Sequence, residues 1–275
     1  MAGEIIAIDS SYTLPALLIT TGLAMQLDLL SALGATTLGA ALGGLGGLLG
    51  IGGGILAIPL LGSLYGMDQT LAQGTALVMM VPNVLLGFWR YRQRSPFPLL
   101  LAVRIGALSV VATWLAAHLA LGLDKALLRQ VFAGFMLLLG AYFWRAAGQG
   151  SPARGQPWPA RYLPGVGLIG GACGGFFGVG SGIVAAPILV RGFGKGQTEA
   201  QGLALALVVP AALVALASYS RAGEVDWRLG ACLAAGGVLT VSPGVALAYR
   251  LPALLLRRLF ALMLWLTAAM TWWLG

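Results

Sequence analysis

Residues 46–61 read GGLLGIGGGILAIPLL, and residues 174–189, 128 positions later, read GGFFGVGSGIVAAPIL. Nine of the sixteen positions are identical: Gly46/Gly174, Gly47/Gly175, Gly50/Gly178, Gly52/Gly180, Gly54/Gly182, Ile55/Ile183, Ala57/Ala185, Pro59/Pro187 and Leu61/Leu189. The offset continues without a gap from Gln69–Pro82 (QTLAQGTALVMMVP) to Gln197–Pro210 (QTEAQGLALALVVP), then to Leu127-Leu128-Arg129 against Leu255-Leu256-Arg257. Each copy is apolar and carries a glycine-broken stretch in its first hydrophobic segment. That pattern points to a secondary transporter with its binding site between two repeats.

The repeats sit in a chain that is 59% hydrophobic and only 9% charged, with a mean hydropathy of +0.91. A soluble domain carries roughly 25% charged residues. Stretches near the length of about 20 residues needed to span a bilayer occur at 71–89, 97–121, 127–144, 203–219, 229–249 and 255–274. Trp89, Tyr91, Trp144, Tyr219, Trp227, Tyr249, Trp272 and Trp273 stand near segment ends, where an interfacial aromatic belt is expected. The alternating pattern of a membrane β-barrel is absent. The expected class is an all-α polytopic membrane protein. The net charge of +8 comes from basic residues scattered among short loops, and is read as positive-inside bias rather than a nucleic-acid surface.

The expected organisation is an extension at 1–33 with an apolar helix, one repeat at 34–148, a loop at 149–162 and a second repeat at 163–275. The extension's apolar stretch, with Asp28 near its end, could span the membrane or lie at the interface. The first twelve residues contain Glu4 and Asp9 but no Lys or Arg, unlike a signal peptide with a basic start. In each repeat, a broken or re-entrant helix is followed by three transmembrane helices. Ile51-Gly52-Gly53-Gly54 is a poor helix interior, since each Gly costs about 1 kcal/mol relative to Ala. Irregular backbone survives at membrane depth only where it is buried in protein or faces a watery cavity. If the broken segments are hairpins, the repeats are inverted. Arg90, Arg92, Arg94, Arg145, Arg154, Arg161, Arg191, Lys195, Arg250, Arg257 and Arg258 then share one side, against Lys125, Arg129, Arg221 and Arg228 on the other. A parallel arrangement divides the same residues eight to seven, so the charge rule favours inversion with the Arg-rich loops cytoplasmic, in a cell (inner or plasma) membrane.

The candidate site lies at the breaks. Glycines spaced by four also let helices approach closely, but close packing does not require Gly52-Gly53-Gly54 or Gly180-Ser181-Gly182 in a row. Half-helices starting at Ile55 and Ile183 would present free N–H groups and about half a positive elementary charge each, which attracts anions. Gln73 and Gln201, four residues after Gln69 and Gln197, are candidate side-chain donors. Asn83 beside Pro82 has Ala211 as its counterpart, so the halves would contribute unequally. Arg104 lies seven residues beyond Phe97, about 10 Å deep by helical rise; it either faces substrate or snorkels. His118, the single histidine, reads as interfacial, and Cys173 and Cys232 as buried free thiols.

No nucleotide-binding G-x-x-x-x-G-K-[ST] run is present. Ser181 with His118 makes a poor serine-protease pair, because Gly53 occupies the counterpart of Ser181. Metal-ligand spacing is also absent. No enzyme activity, catalytic residue, metal or cofactor is therefore expected.

Residues 46–59 with Gln73-Gly74, duplicated at 174–187 with Gln201-Gly202, resemble the sulfite exporter TauE/SafE family of membrane permeases. The likeness covers residues 34–275 and includes the closing Leu-Leu-Arg of each copy. It implies a permease for a small sulfur-containing oxyanion, sulfite or an organosulfonate. Ser181 in place of a second Gly53 is a departure, as is the stretch before residue 34. The alternative is an anion-selective channel or a non-transporting membrane subunit. Expected partners are the anionic substrate, the bilayer and a coupling ion (proton or sodium), with homo-oligomerisation left open.

Overall fold

The computed structural model describes residues 13–94, 99–148 and 158–273, with side chains described at all of these except 13–28, 94, 99–105, 160 and 197. Ten α-helices follow in order: α1 (Thr13–Leu49), α2 (Gly54–Tyr65), α3 (Gln69–Arg94), α4 (Leu99–Leu121), α5 (Lys125–Gly148), α6 (Leu163–Phe177), α7 (Gly182–Phe193), α8 (Gln197–Arg221), α9 (Trp227–Ala248) and α10 (Ala253–Trp273). Among the described residues six stretches, in α1, α3, α5, α8, α9 and α10, are long and apolar enough to cross a membrane, which makes this an all-helical polytopic protein. The apolar stretch before residue 34 is not separate: α1 runs through that position as one helix, and Leu29–Leu49 is its candidate span.

The chain stops being helical where glycine takes left-handed backbone that other residues rarely adopt. Gly50, Gly52 and Gly53 have φ of 71, 74 and 84°, and Gly178 and Gly180 have φ of 64 and 79°. After each break a 12-residue helix leads back, α2 after the first and α7 after the second. Both end on a left-handed glycine, Gly66 and Gly194, whose N–H donates to the carbonyl of Leu61 and Leu189 respectively. These C-terminal caps stand 128 residues apart, as the breaks do.

Glycine also sets which helices touch. Gly39, Gly43 and Gly47 of α1 lie against Leu233, Gly237 and Val241 of α9, so the two helices run parallel with their backbones in contact. Gly171 and Gly175 of α6 lie in the same way against Ser109 and Thr113 of α4, and the Thr113 hydroxyl donates to the Gly171 carbonyl at 3.0 Å. The four residues Gly43, Gly237, Gly171 and Ser109 are two pairs related by 128. Helices α3 and α8 run antiparallel at the centre: Gln73 meets Tyr219, whereas Gly87 lies near Leu205. They are the most buried of the long spans, at 61% each against 33–44% for the rest. Helices α5 and α10 are also antiparallel, with Arg257 at Ala146 and Trp265 at Leu137.

At one end of the bundle Lys125 pairs with Asp68 at 2.6 Å and Glu224 at 3.4 Å, joining the α2–α3 loop, the start of α5 and the α8–α9 loop. Burial alone would push the Asp68 carboxyl up, but hydrogen bonds from Lys125, the Leu71 N–H and Thr70 outweigh it and hold its pKa below the ordinary carboxylate value. At the opposite end Arg90 donates to Ser242 and Arg191 lies over the Tyr142 ring.

Two expectations change. Trp89, Trp144, Trp227, Trp272 and Trp273 are exposed as belt residues should be, but Tyr91 and Tyr219 are fully buried. Their hydroxyls reach inward, to the Gly47 carbonyl and the Gln73 side chain, because a phenol can bury its ring while satisfying its polar end. The free cysteines Cys173 and Cys232 are half-buried rather than buried.

A Cβ on Gly236 would collide with the Thr36 carbonyl and lie 2.7 Å from the Ala40 nitrogen. Gly236→Val should therefore lower the thermal midpoint in detergent, with overpacking costing about 1–3 kcal/mol or more. Gly34→Val, with nothing within 4 Å, should not lower it. The Asp68 shift sets a second expectation. A carboxyl with a depressed folded pKa stabilises above its unfolded value, and that contribution disappears as pH falls through the folded one. Thermal melts of wild type and Asp68→Asn should differ little, by less than about 1 kcal/mol for an exposed pair, and the gap should close below about pH 4.

Candidate functional site

The two breaks meet. The position a Cβ would take on Gly54 lies 3.6 Å from the Gly178 carbonyl oxygen, and that on Gly182 lies 3.6 Å from the Gly50 oxygen. The N-terminus of α2 thus abuts the chain leaving α6, and the N-terminus of α7 abuts the chain leaving α1. The first-turn N–H groups of a helix have no intrahelical acceptor, nor do its last carbonyls have an intrahelical donor. Both kinds of group are therefore gathered at one buried junction. Gly52, Gly53, Gly54, Ile55, Gly180, Ser181, Gly182 and Ile183 all belong to it and are buried. The return helices begin at Gly54 and Gly182, one residue before the expected Ile55 and Ile183.

Each glutamine reaches the opposite hairpin. Gln73 packs on Gly178 and Gln201 on Gly50. The Gln201 amide donates to the Leu49 carbonyl at 3.2 Å, meeting one acceptor left open at the end of α1. The Tyr219 hydroxyl donates to Gln73 Oε1 at 2.7 Å. Gln73 Nε2, Gln201 Oε1 and Ser181 Oγ are buried without a hydrogen-bond partner. Unpartnered polar atoms at such depth cost about 1–3 kcal/mol each, which makes them the natural contacts for a bound group. Met80 lies against Gly52, Gly54 and Gly180, so it touches both tips.

Ser181 and Gly53 differ for a backbone reason. Ser181 has φ −64°, open to any residue, whereas Gly53 has φ 84° and a Cβ there would lie 2.6 Å from the Leu42 carbonyl oxygen. A hydroxyl can therefore be placed at the second tip and not at the first.

Of the remaining candidates, Asn83 and Arg104, Asn83 is the one whose side chain the structure describes. Asn83 is buried with both side-chain polar atoms unpartnered, but it turns toward α9, where Gly237 packs on its amide. The Arg104 side chain lies outside the described residues, as do those of Asp28 and Gln197. His118 Nδ1 donates locally to the Trp114 carbonyl, 2.8 Å away, on an exposed surface. Among the described residues no three His, Cys, Asp or Glu side chains cluster as metal ligands. Tyr219 was missed as a site residue; the signal available was its 128-residue match to Tyr91.

Residues 35–271 match the family model described as "Sulfite exporter TauE/SafE". The chain belongs to this family. It is similar, at 28% identity over 233 residues, to a "Probable membrane transporter protein" from Xylella fastidiosa strain 9a5c, with 82% of this chain and 89% of that protein covered. A second Xylella fastidiosa protein, from strain Temecula1, matches to the same extent. A probable membrane transporter protein from Methanocaldococcus jannaschii is 28% identical over 151 residues, 53% of this chain and 56% of that protein. The chain is thus a membrane transporter of the TauE/SafE family, and the hairpin junction is its buried polar centre.

Gly53→Ser and Ser181→Gly should behave differently in this transporter. The first forces a left-handed non-glycine residue against a backbone carbonyl and should cost about 1–3 kcal/mol, seen as a lower melting temperature. The second should fold normally, since the backbone there suits either residue. Equal melting temperatures for the two variants would contradict the backbone assignment.

Proposed function

We propose that this TauE/SafE transporter is a secondary permease for a small oxyanion, sulfite or an organosulfonate. The anion would bind at the junction of the two hairpins. The observation that carries the reading is the coincidence of two helix N-termini and the unpartnered donors Gln73 Nε2 and Ser181 Oγ in one buried place. Helix N-termini attract anions through oriented N–H groups and dipole charge, without a lysine. The opposed carbonyls of Gly50 and Gly178 would take a coupling cation, as helix C-terminal ends do in other broken-helix transporters.

The antiparallel run of α3 against α8, and of α5 against α10, supports reading the chain as two inverted copies related by a pseudo-two-fold axis through the junction. In that reading Lys125, Arg129, Arg221 and Arg228 stand outside the membrane, and the Arg90, Arg191 and Arg257 end faces the cytoplasm.

Saturable flux of sulfite or a sulfonate into proteoliposomes is the expected result with purified protein. A charge-assisted hydrogen bond is worth roughly 1.5–3 kcal/mol, so Gln73→Ala and Ser181→Gly should each weaken apparent affinity about ten-fold or more. Conductance that rises without saturation would point to a channel. Unchanged affinity in the Gln73→Ala, Gln201→Ala double variant would remove the junction as the binding site.

A further inference from the structure

The two ends of the bundle carry matched cavities of very different size. At the Lys125 end a cavity of about 370 Å³ is lined by Ile58, Gln69, Arg129 and Thr271 among others. At the other end a crevice of about 20 Å³, room for a single water, is lined by Ala186, Arg257, Phe143 and Gln201. Ile58, Arg129 and Thr271 correspond to Ala186, Arg257 and Phe143 at the 128-residue offset. The two therefore share three corresponding lining residues, wide apart at one end and nearly closed at the other, while the crevice alone reaches Gly182, Ile183 and Gln201 of the junction.

The open cavity is lined by Asp68 and Asp124 as well as by Lys125 and Arg129, and what it offers an anion is local, at Arg129 and Gln69. Lys125 is already neutralised by Asp68 and Glu224. Asp124 caps α5, its Oδ1 accepting from the Ala126 and Leu127 N–H groups at 3.0 Å each. Arg129 is half-buried, and among the described residues no carboxylate forms an ion pair with it. Gln69 is 7% exposed, and its Nε2 is buried without an acceptor. It stands one helical turn before Gln73, on the way from the open end to the junction. A guanidinium and an amide donor together suit an oxyanion, which accepts several hydrogen bonds at once.

The closed counterpart shows what shuts it. The Phe143 ring meets Phe260 edge-on at 4.5 Å between centroids, filling the space that at the other end adjoins the smaller Thr271. The Arg257 guanidinium there donates to the Ala146 carbonyl at 3.3 Å across α5 and α10.

We propose that Arg129 and Arg257 are paired anion-receiving residues, one for each entrance. This structure holds the Arg129 entrance open, while the Phe143–Phe260 contact closes the Arg257 entrance. The proposal rests on the anion-transport reading above, but part of its test needs no substrate. In a Cys173→Ala, Cys232→Ala background, Ser63→Cys reports the open cavity, which it lines, and Ala186→Cys reports the closed crevice. In vesicles, an anionic methanethiosulfonate should modify Ser63→Cys about three- to ten-fold faster than a cationic one. Arg129→Gln should abolish that preference, and Arg129→Lys should restore most of it. Ala186→Cys should react slowly and from the opposite face, and Phe143→Thr, which copies residue 271, should speed it. In flux assays Arg129→Gln should raise KM for substrate on its own side and leave kcat largely unchanged. Charge-blind labelling of Ser63→Cys, equal rates at the two cysteines, or no effect of Phe143→Thr would each overturn the proposal. Labelling as expected without flux of any sulfur anion would retain the entrances and discard the substrate assignment, while saturable flux with charge-blind labelling would do the reverse.

Discussion

Everything in this fold is arranged around two places where a helix ends inside an apolar bundle. Backbone groups released there cannot turn to lipid, where each unsatisfied group costs several kcal/mol. The structure answers by bringing the two ends together. The chain leaving α1 faces the start of α7, and the chain leaving α6 faces the start of α2. Gln201 supplies the donor that the Leu49 carbonyl lacks. The left-handed glycines permit the turns, and the glycine contacts of α1 with α9 and of α6 with α4 let each hairpin sit deep enough for its tip to reach the other. A junction built in this way is polar, buried and incompletely satisfied, and those three properties are what support the anion site proposed for it.

The glycine breaks, the helix caps and the glycine contacts recur at 128 residues, but Gly53 and Ser181 differ in backbone and the side chains at the centre do not match. Ser181 adds a hydroxyl where Gly53 has none. Tyr219 holds Gln73, whereas Tyr91 holds the Gly47 carbonyl. Met80 touches both tips, and its counterpart Val208 lies against Gly180 and Gly182. Phe143 occupies the position that corresponds, 128 residues on, to Thr271. Under the proposed inverted-repeat reading, unequal side chains at related positions would favour one of two related packings over the other, as a carrier that exposes one site to two sides in turn requires.

Helix content, the membrane class and the positions of the breaks were legible in the sequence because each is a local property. Apolar length sets a span, and a run of Gly52, Gly53 and Gly54 lacks the propensity to continue a helix. The repeat offset also brought most of the junction into view, from Gly52 to Ile55 and from Gly180 to Ile183, with Gln73 and Gln201. It could not tell that Gln73 serves the second hairpin and Gln201 the first. Nor could it tell that Asn83 turns to α9, or that Tyr91 and Tyr219 point inward rather than toward a membrane surface. Those outcomes depend on which helices cross, and crossing is set by contacts such as Gly43 on Gly237 that join residues nearly two hundred positions apart. The sequence by itself determined where helices must stop and which residue types stand at the stops. Only the tertiary structure decided that the stops meet, which donors they leave unpaired and which end stands open, because these depend on backbone approach across the bundle rather than along the chain.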